Sequence, residues 1–173
     1  MTATTGLRSA MRRLARKTLV RHVLVAILAI GLVLGFAAVH AQFSPMHRWN
    51  RAFGDASLVL VALSMAFGPL TRFLRAAVPL LPFRREMGIH ACLLVIVHAA
   101  IILVGWVEWD LMRLFGFEWH PDLLAYVMFQ HGFGLANAIG IAALVLAVLL
   151  AATSSDFAMR RLGLSGWKFL QLG

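Results

Sequence analysis

One cysteine and seven acidic residues in 173 positions set the first limits on this chain. With Cys92 alone, neither an internal disulfide nor a cysteine-cluster metal site can form, and its apolar neighbours read it as a small packed hydrophobe. Charge is scarce: 13% of residues are charged, against about 25% in a soluble domain. The remainder is strongly apolar, with 61% hydrophobic residues and a mean hydropathy of +0.85, which excludes a soluble domain and defines an integral membrane protein. GxGxxG, Walker, HExxH and Ser/His/Asp patterns are also missing. Soluble catalytic machinery is therefore excluded, and residues 156–173 are far too few for a nucleotide-binding domain of about 100–150 residues. Any reductant must come from another chain or a membrane carrier. The net charge of +9 does not point to nucleic acid, because the basic residues sit between apolar runs.

Four stretches lack Asp, Glu, Lys and Arg: Val23 to Met46, Ala56 to Thr71, Met87 to Val107 and Leu123 to Ser155. A helix needs about 20 mostly apolar residues to cross a hydrocarbon core of about 30 Å. The second stretch is the shortest, and Phe53 and Gly54 extend it outward. The expected fold is all-α, an integral membrane bundle of four transmembrane helices. Thirteen of the sixteen Lys and Arg fall before the first stretch, between the second and third, or after the fourth; only Arg48, Arg51 and Arg113 fall opposite. Positive charge is retained on the cytoplasmic side, so both termini are expected there. This divides the chain into a basic cytoplasmic tail (1–21), a transmembrane domain (22–155) and a second cytoplasmic tail (156–173). Trp106, Trp109 and Trp119 then lie at the outer interface, where indoles prefer to sit. A rival reading takes the start as a signal peptide cleaved after Val39-His40-Ala41. The run before it is long for such a peptide, so the first helix is retained.

Gly31 to Gly35 and Gly132-Phe133-Gly134 read as close helix packing. The outer loop, Trp106 to Gln130, is long and aromatic. Short interfacial helices at Leu111-Met112, Leu114-Phe115 and Leu123-Leu124, and a docking surface for an outer acceptor, are expected there.

Seven histidines remain: His22, His40, His47, His90, His98, His120 and His131. His98 lies thirteen residues after Arg85 and ten before Glu108, which places it about 15–20 Å from either boundary. An ionisable group at that depth is a functional candidate by default. The alternatives are haem ligation, to which neutral imidazole adds no charge, and a hydrogen bond to a neighbouring helix, with Asn137 and Ser64 as possible partners. His90, eight residues earlier, is about 12 Å lower and about 80° around the helix, so it cannot share an iron with His98. It is level with His22, and reads either as an interfacial histidine or as part of a second site. His131 reads as a helix-end residue. Among the outer histidines no pair has the i, i+4 spacing of a strong metal site.

Arg84-Arg85-Glu86-Met87-Gly88-Ile89, Ala91 and the apolar run to His98 resemble the "RRxxGxxA…H" helix of the ferric reductase-like transmembrane domain. Within that family the likeness is closest to the MsrQ (YedZ) branch, the haem-binding membrane subunits of periplasmic methionine sulfoxide reductase systems. Gly54 with Gly68-Pro69-Leu70-Thr71-Arg72 resembles the "TG…TPLRR" second helix. Ala152-Thr153-Ser154-Ser155, Met159 to Gly163 and Trp167 to Leu170 resemble the "LTS…RRLGxxWxxLH" connection. The likeness runs from about residue 45 to the end. It implies a multi-pass protein of the bacterial inner membrane, in contact with lipid, carrying haem b and electrons to an outer acceptor such as a molybdenum-dependent reductase. His98 would be an axial ligand to the haem iron, with His90 a weaker second candidate. Arg84 and Arg85 would face haem propionates, quinone or lipid headgroups, although setting topology explains them equally. Quinone, or flavin through a partner, would supply electrons. Where the family has a second ligand histidine this chain has Gln171, and it stops at Gly173 where the family continues. Three explanations stay open: an incomplete sequence, a second membrane subunit that completes the site, or loss of haem. A haem-free structural or assembly subunit is accordingly the alternative reading.

Overall fold

The computed structural model describes residues 2–153, with side chains from residue 14 onward. Five helices and one hairpin follow in order: α1 (Thr2–Val39), α2 (Pro45–Phe73), α3 (Phe83–Ile101), α4 (Leu111–Leu114), β1 (Phe117–His120), β2 (Ala125–Met128) and α5 (His131–Thr153). A 3₁₀ segment, Arg75–Leu80, links α2 to α3, and a π-helical turn, Ile102–Trp106, prolongs α3. Four helices are long and apolar enough to cross a membrane: Leu14–Val39, Pro45–Phe73, Phe83–Trp106 and His131–Thr153. The all-α membrane bundle read from hydropathy is the observed fold.

Residues 2–21 continue the first spanning helix. The second helix starts at Pro45, earlier than its charge-free core, because proline is favoured at the first helical position and no intrahelical partner is needed there. Arg48, Arg51 and Asp55 thus ride on α2, and local partners absorb their polarity. Arg48 Nε–H donates to the Ala37 carbonyl at 2.7 Å, one of the carbonyls left open where α1 ends. The Arg51 guanidinium lies 4.3 Å from the centre of the Phe43 ring. Asp55 accepts from His40 Nε2–H at 2.7 Å, tying the end of α1 to α2.

The core lies among α1, α2 and α3. Val25, Ala29, Val33 and Ala37 recur every fourth residue along α1 and are buried against Ala52, Ala56 and Leu60 of α2 and Ala91 of α3. Between helices in lipid the hydrophobic effect is weak, so close backbone approach past small side chains supplies the packing. This corrects the expectation for Gly31 and Gly35. They are two positions off the buried stripe, so the 100° turn per residue points them outward, and neither has a neighbour within 4 Å of where a side chain would begin.

The loop end, residues 107–130, differs from expectation in one element. Leu111–Leu114 is helical as expected, capped by the Asp110 carboxylate, which accepts from the N–H of Met112 at 2.8 Å. Leu123 and Leu124 form no helix; they are the tip of the antiparallel β1–β2 hairpin. Leu124 has φ +47, as do Glu108 and Trp109 at +51 and +66 where α3 ends. Such left-handed residues cost about 1–2 kcal/mol each without glycine. The hairpin base is fastened to α5: both Phe129 and Gln130 N–H donate to the Gly116 carbonyl at 3.1 Å, and a Cβ on Gly134 would run into the Phe115 carbonyl. The tight packing expected of Gly132-Phe133-Gly134 is thus realised by Gly134 alone, against loop backbone and not another helix; Gly132 is open. Because that obstacle is backbone, Gly134→Ala should loosen the hairpin, and faster amide exchange at residues 115–118 with the rest unchanged would show it.

Candidate functional site

His98 lies on the α3 face that meets α2. Along α3 it is about 12 Å from Trp106 and about 22 Å from Phe83, so it sits toward the loop end of the span. Its Nδ1–H donates to the Asn50 carbonyl at 2.9 Å. In an α-helix the carbonyl of residue 50 points at residue 54, whose side chain would ordinarily cover it. Residue 54 is glycine, and the imidazole occupies the bared surface: a Cβ there would stand 3.1 Å from His98 Cε1. A neutral imidazole has one N–H, so fixing it at Nδ1 leaves the lone pair on Nε2, the tautomer that binds a metal. Metal-bound histidines almost always donate their other N–H in this manner. Neither of the two partners expected for His98 serves it. Asn137 donates to the Leu114 carbonyl at 2.8 Å and Ser64 to the Arg84 carbonyl at 3.0 Å.

At the opposite end of α3, the structure brings His90 and His22 together, as their depths imply, with ring centres 5.5 Å apart. His90 Nδ1–H donates to the Glu86 carbonyl at 2.9 Å, again leaving Nε2 open. Beside them the Glu86 carboxylate, 2% exposed, has Oε1 3.1 Å from Arg21 Nε, and its Oε2 accepts no hydrogen bond. Glu86, which the charge-free count leaves just outside the third stretch, thus belongs to the first turn of the spanning helix and is buried there. Arg84 reaches across to α2: its Nε–H donates to the Ser64 carbonyl at 3.0 Å and its guanidinium lies over Gly68. Arg85 is exposed.

The other histidines are dispersed. His40 is bound to Asp55; His47 meets the Trp106 ring at 4.1 Å between centres; His120 stacks on Phe129; His131 is the exposed first residue of α5. Among the described residues no three His, Cys, Asp or Glu converge as a metal site. The motif residues from Ser154 to Leu170, and Gln171, lie outside the described residues. An open apolar groove of about 450 Å³ borders α3, lined by Met46, Ile96, Val97, Ala100, Ile101 and Val104 and not by His98 itself.

Sequence reading gave no contact with the candidate histidines to Asn50, Gly54, Arg21 or Glu86, which the structure places around them. Gly54 was visible as part of a motif, but only the helix-to-helix contact gives it a task. Gly54→Val should displace the imidazole from the Asn50 carbonyl, weakening a group held by His98 by about 10–100-fold, as for other lost supports of metal-bound histidine; a titration of purified protein with haem measures it.

With this geometry in place, the family is settled by comparison. Residues 53–172 match the family model of the ferric reductase like transmembrane component. The match spans more than half of the chain, which therefore belongs to that family: it is a multi-pass membrane protein of a redox-associated class. Neither the curated proteins nor the solved structures contain a match. α1 lies outside the matched residues.

Proposed function

We propose that this chain is a haem b-containing electron-transfer subunit of the MsrQ type, carrying electrons across a bacterial inner membrane to an outer acceptor. The observation that carries the proposal is the Nδ1–H bond from His98 to the Asn50 carbonyl, which fixes the ring inside the span and in a neutral imidazole leaves the Nε2 lone pair for a metal. Two observations support a haem: an oriented nitrogen donor at His98 and an apolar groove along the same stretch of α3; the charged side chains of α2 at that level, Arg51 and Asp55, are engaged by Phe43 and His40. Haem supplies one-electron chemistry when bound. The protein's own contribution is orientation and dielectric: Gly54 and Asn50 fix the ring, and the helices exclude water. His90 is the candidate for a second, inner site, with His22 beside it. Arg84 holds α2 to α3 at the same end, and Arg85 faces headgroups there. Electrons would enter from a quinone or from a flavin on a partner. They would leave toward an outer redox protein, of which a molybdenum-dependent reductase is the type expected, with a second membrane subunit as the source of a further ligand.

A reduced-minus-oxidised spectrum of protein produced with adequate haem tests this reading. Absence of haem bands from well-folded protein would leave the haem-free structural or assembly subunit as the better account.

The same reading puts the Arg72–Arg85 end in the cytoplasm and the hairpin outside. A cysteine at Arg75 should resist an impermeant thiol reagent added to intact cells, and react after lysis. Reaction before lysis would invert the topology.

A further inference from the structure

The hairpin between β1 and β2 has two unlike faces. Register pairs Phe117 with Met128 and Trp119 with Tyr126, and since side chains alternate along a strand these four share one face. The indole and phenol rings meet edge to face, with centres 5.4 Å apart. The strand residues of that face carry no charge, the Tyr126 hydroxyl donates to the Asp110 carboxylate at 3.4 Å, and at the tip Leu123 and Leu124, 64% and 75% exposed, follow Asp122. The other face carries Glu118, His120, Ala125 and Val127. It is engaged with the protein: Gln130 donates to the Glu118 carboxylate at 3.0 Å, and His120 stacks on Phe129.

We propose that the aromatic face and the leucine tip lie in the headgroup–acyl boundary of the adjacent leaflet, making the hairpin a β-structured interfacial anchor. The proposal rests on the four spanning helices and not on the haem reading. Position argues for lipid as the occupant. The hairpin emerges between the end of the α3 span at Trp106 and the first residue of α5, and its base is bonded through Gly116 to Gln130, one residue before α5 starts. The aromatic face, largely exposed apart from the contact of Tyr126 with Asp110, is thereby held at the level where two lipid-facing helices leave the hydrocarbon. Its composition argues the same way, since Trp and Tyr place a ring in the apolar layer and a polar atom in the headgroups. Size agrees as well. Strands of four residues are about 13 Å long, and the headgroup layer adds about 5–8 Å per leaflet, so the hairpin stays within it by lying along the surface. A glycine would suit the left-handed backbone at residue 124, yet the chain has leucine, whose value there is apolar contact. The engaged polar face is left toward the aqueous side, where an outer partner would approach.

The test uses full-length protein in phosphatidylcholine–phosphatidylglycerol vesicles, with Cys92→Ser as background and an environment-sensitive fluorophore on Leu124→Cys or, on the other face, Ala125→Cys. Lipid carrying a shallow nitroxide should quench the label at 124 about threefold more than that at 125, and iodide should do the reverse. Equal access of iodide to both would overturn the proposal in favour of a solvent-facing surface awaiting a soluble partner. Shielding that rises with the protein-to-lipid ratio would overturn it in favour of a second copy of this chain. Protection from both quenchers would mean intramolecular burial, which also overturns it. Should the cysteine variants not fold, brominated-lipid quenching of intrinsic tryptophan emission gives the second measurement. The quenched share should fall in Trp119→Phe, and an unchanged share would count against the anchor.

Discussion

Purified His98→Ala protein is expected to lack the b-type absorption bands that the parent chain shows when produced with adequate haem, whereas His120→Ala should keep them. The difference follows from where each ring is held. His98 is inside the span, oriented by the Asn50 carbonyl with Nε2 uncommitted, while His120 is on β1 against Phe129. Loss of this oriented donor removes the axial bond itself, so the expected effect is absence of bound haem and not a shifted spectrum. His90→Ala separates one site from two. A partial loss of absorbance would assign a second haem to the His22 end, and an unchanged spectrum would confine the cofactor to His98. If Gln171 stands in place of a second ligand histidine, as the resemblance implies, the isolated chain should bind haem weakly or in five-coordinate form. A stable six-coordinate low-spin spectrum would reveal a ligand from elsewhere in the chain.

The largest stability effect is expected at the other end of α3. Arg21→Ala strands the Glu86 carboxylate, which is 2% exposed and already has one oxygen without a hydrogen bond. Removing one member of a fully buried ion pair costs about 3–5 kcal/mol. The Arg21 side chain is 29% exposed, so water recovers part of that and about 2–3 kcal/mol is expected. The companion variant Arg21→Met with Glu86→Leu should recover most of the loss, because two apolar side chains of similar size carry no desolvation cost. Unfolding in mixed micelles across the three proteins measures it. If the double variant is as unstable as Arg21→Ala, the loss comes from packing along α1 and α3 and not from the stranded charge.

Much of this architecture could be read before any coordinates. Spanning helices announce themselves through length and the exclusion of charge. His98 stood out for a related reason: an imidazole is expensive at its depth, so its presence signals use. What the sequence concealed was rotation and contact. Gly31-Leu32-Val33-Leu34-Gly35 has the outward form of a packing motif, yet Ala29, Val33 and Ala37 do the packing, because a helix face is chosen by its partners and not by the smallness of its residues. Glu86 was misplaced because a count of charge-free residues ends a helix at its first charge, whereas Arg21 on another helix lets that charge enter the bundle. The hairpin was missed because four-residue strands with a Pro-Asp-Leu-Leu turn carry little periodicity. Asn50 contributes through its backbone, and no side-chain pattern can report that.

The uneven packing of α5 bears on how the protein is made. Among the described residues α1, α2 and α3 share the buried core, while α5 buries only Gly134, and that against the hairpin end. The buried contacts among the first three helices do not involve the fourth, so their association in the bilayer is expected to be independent of it. α5 then joins by one end, with most of its length still facing lipid and open to whatever docks there next.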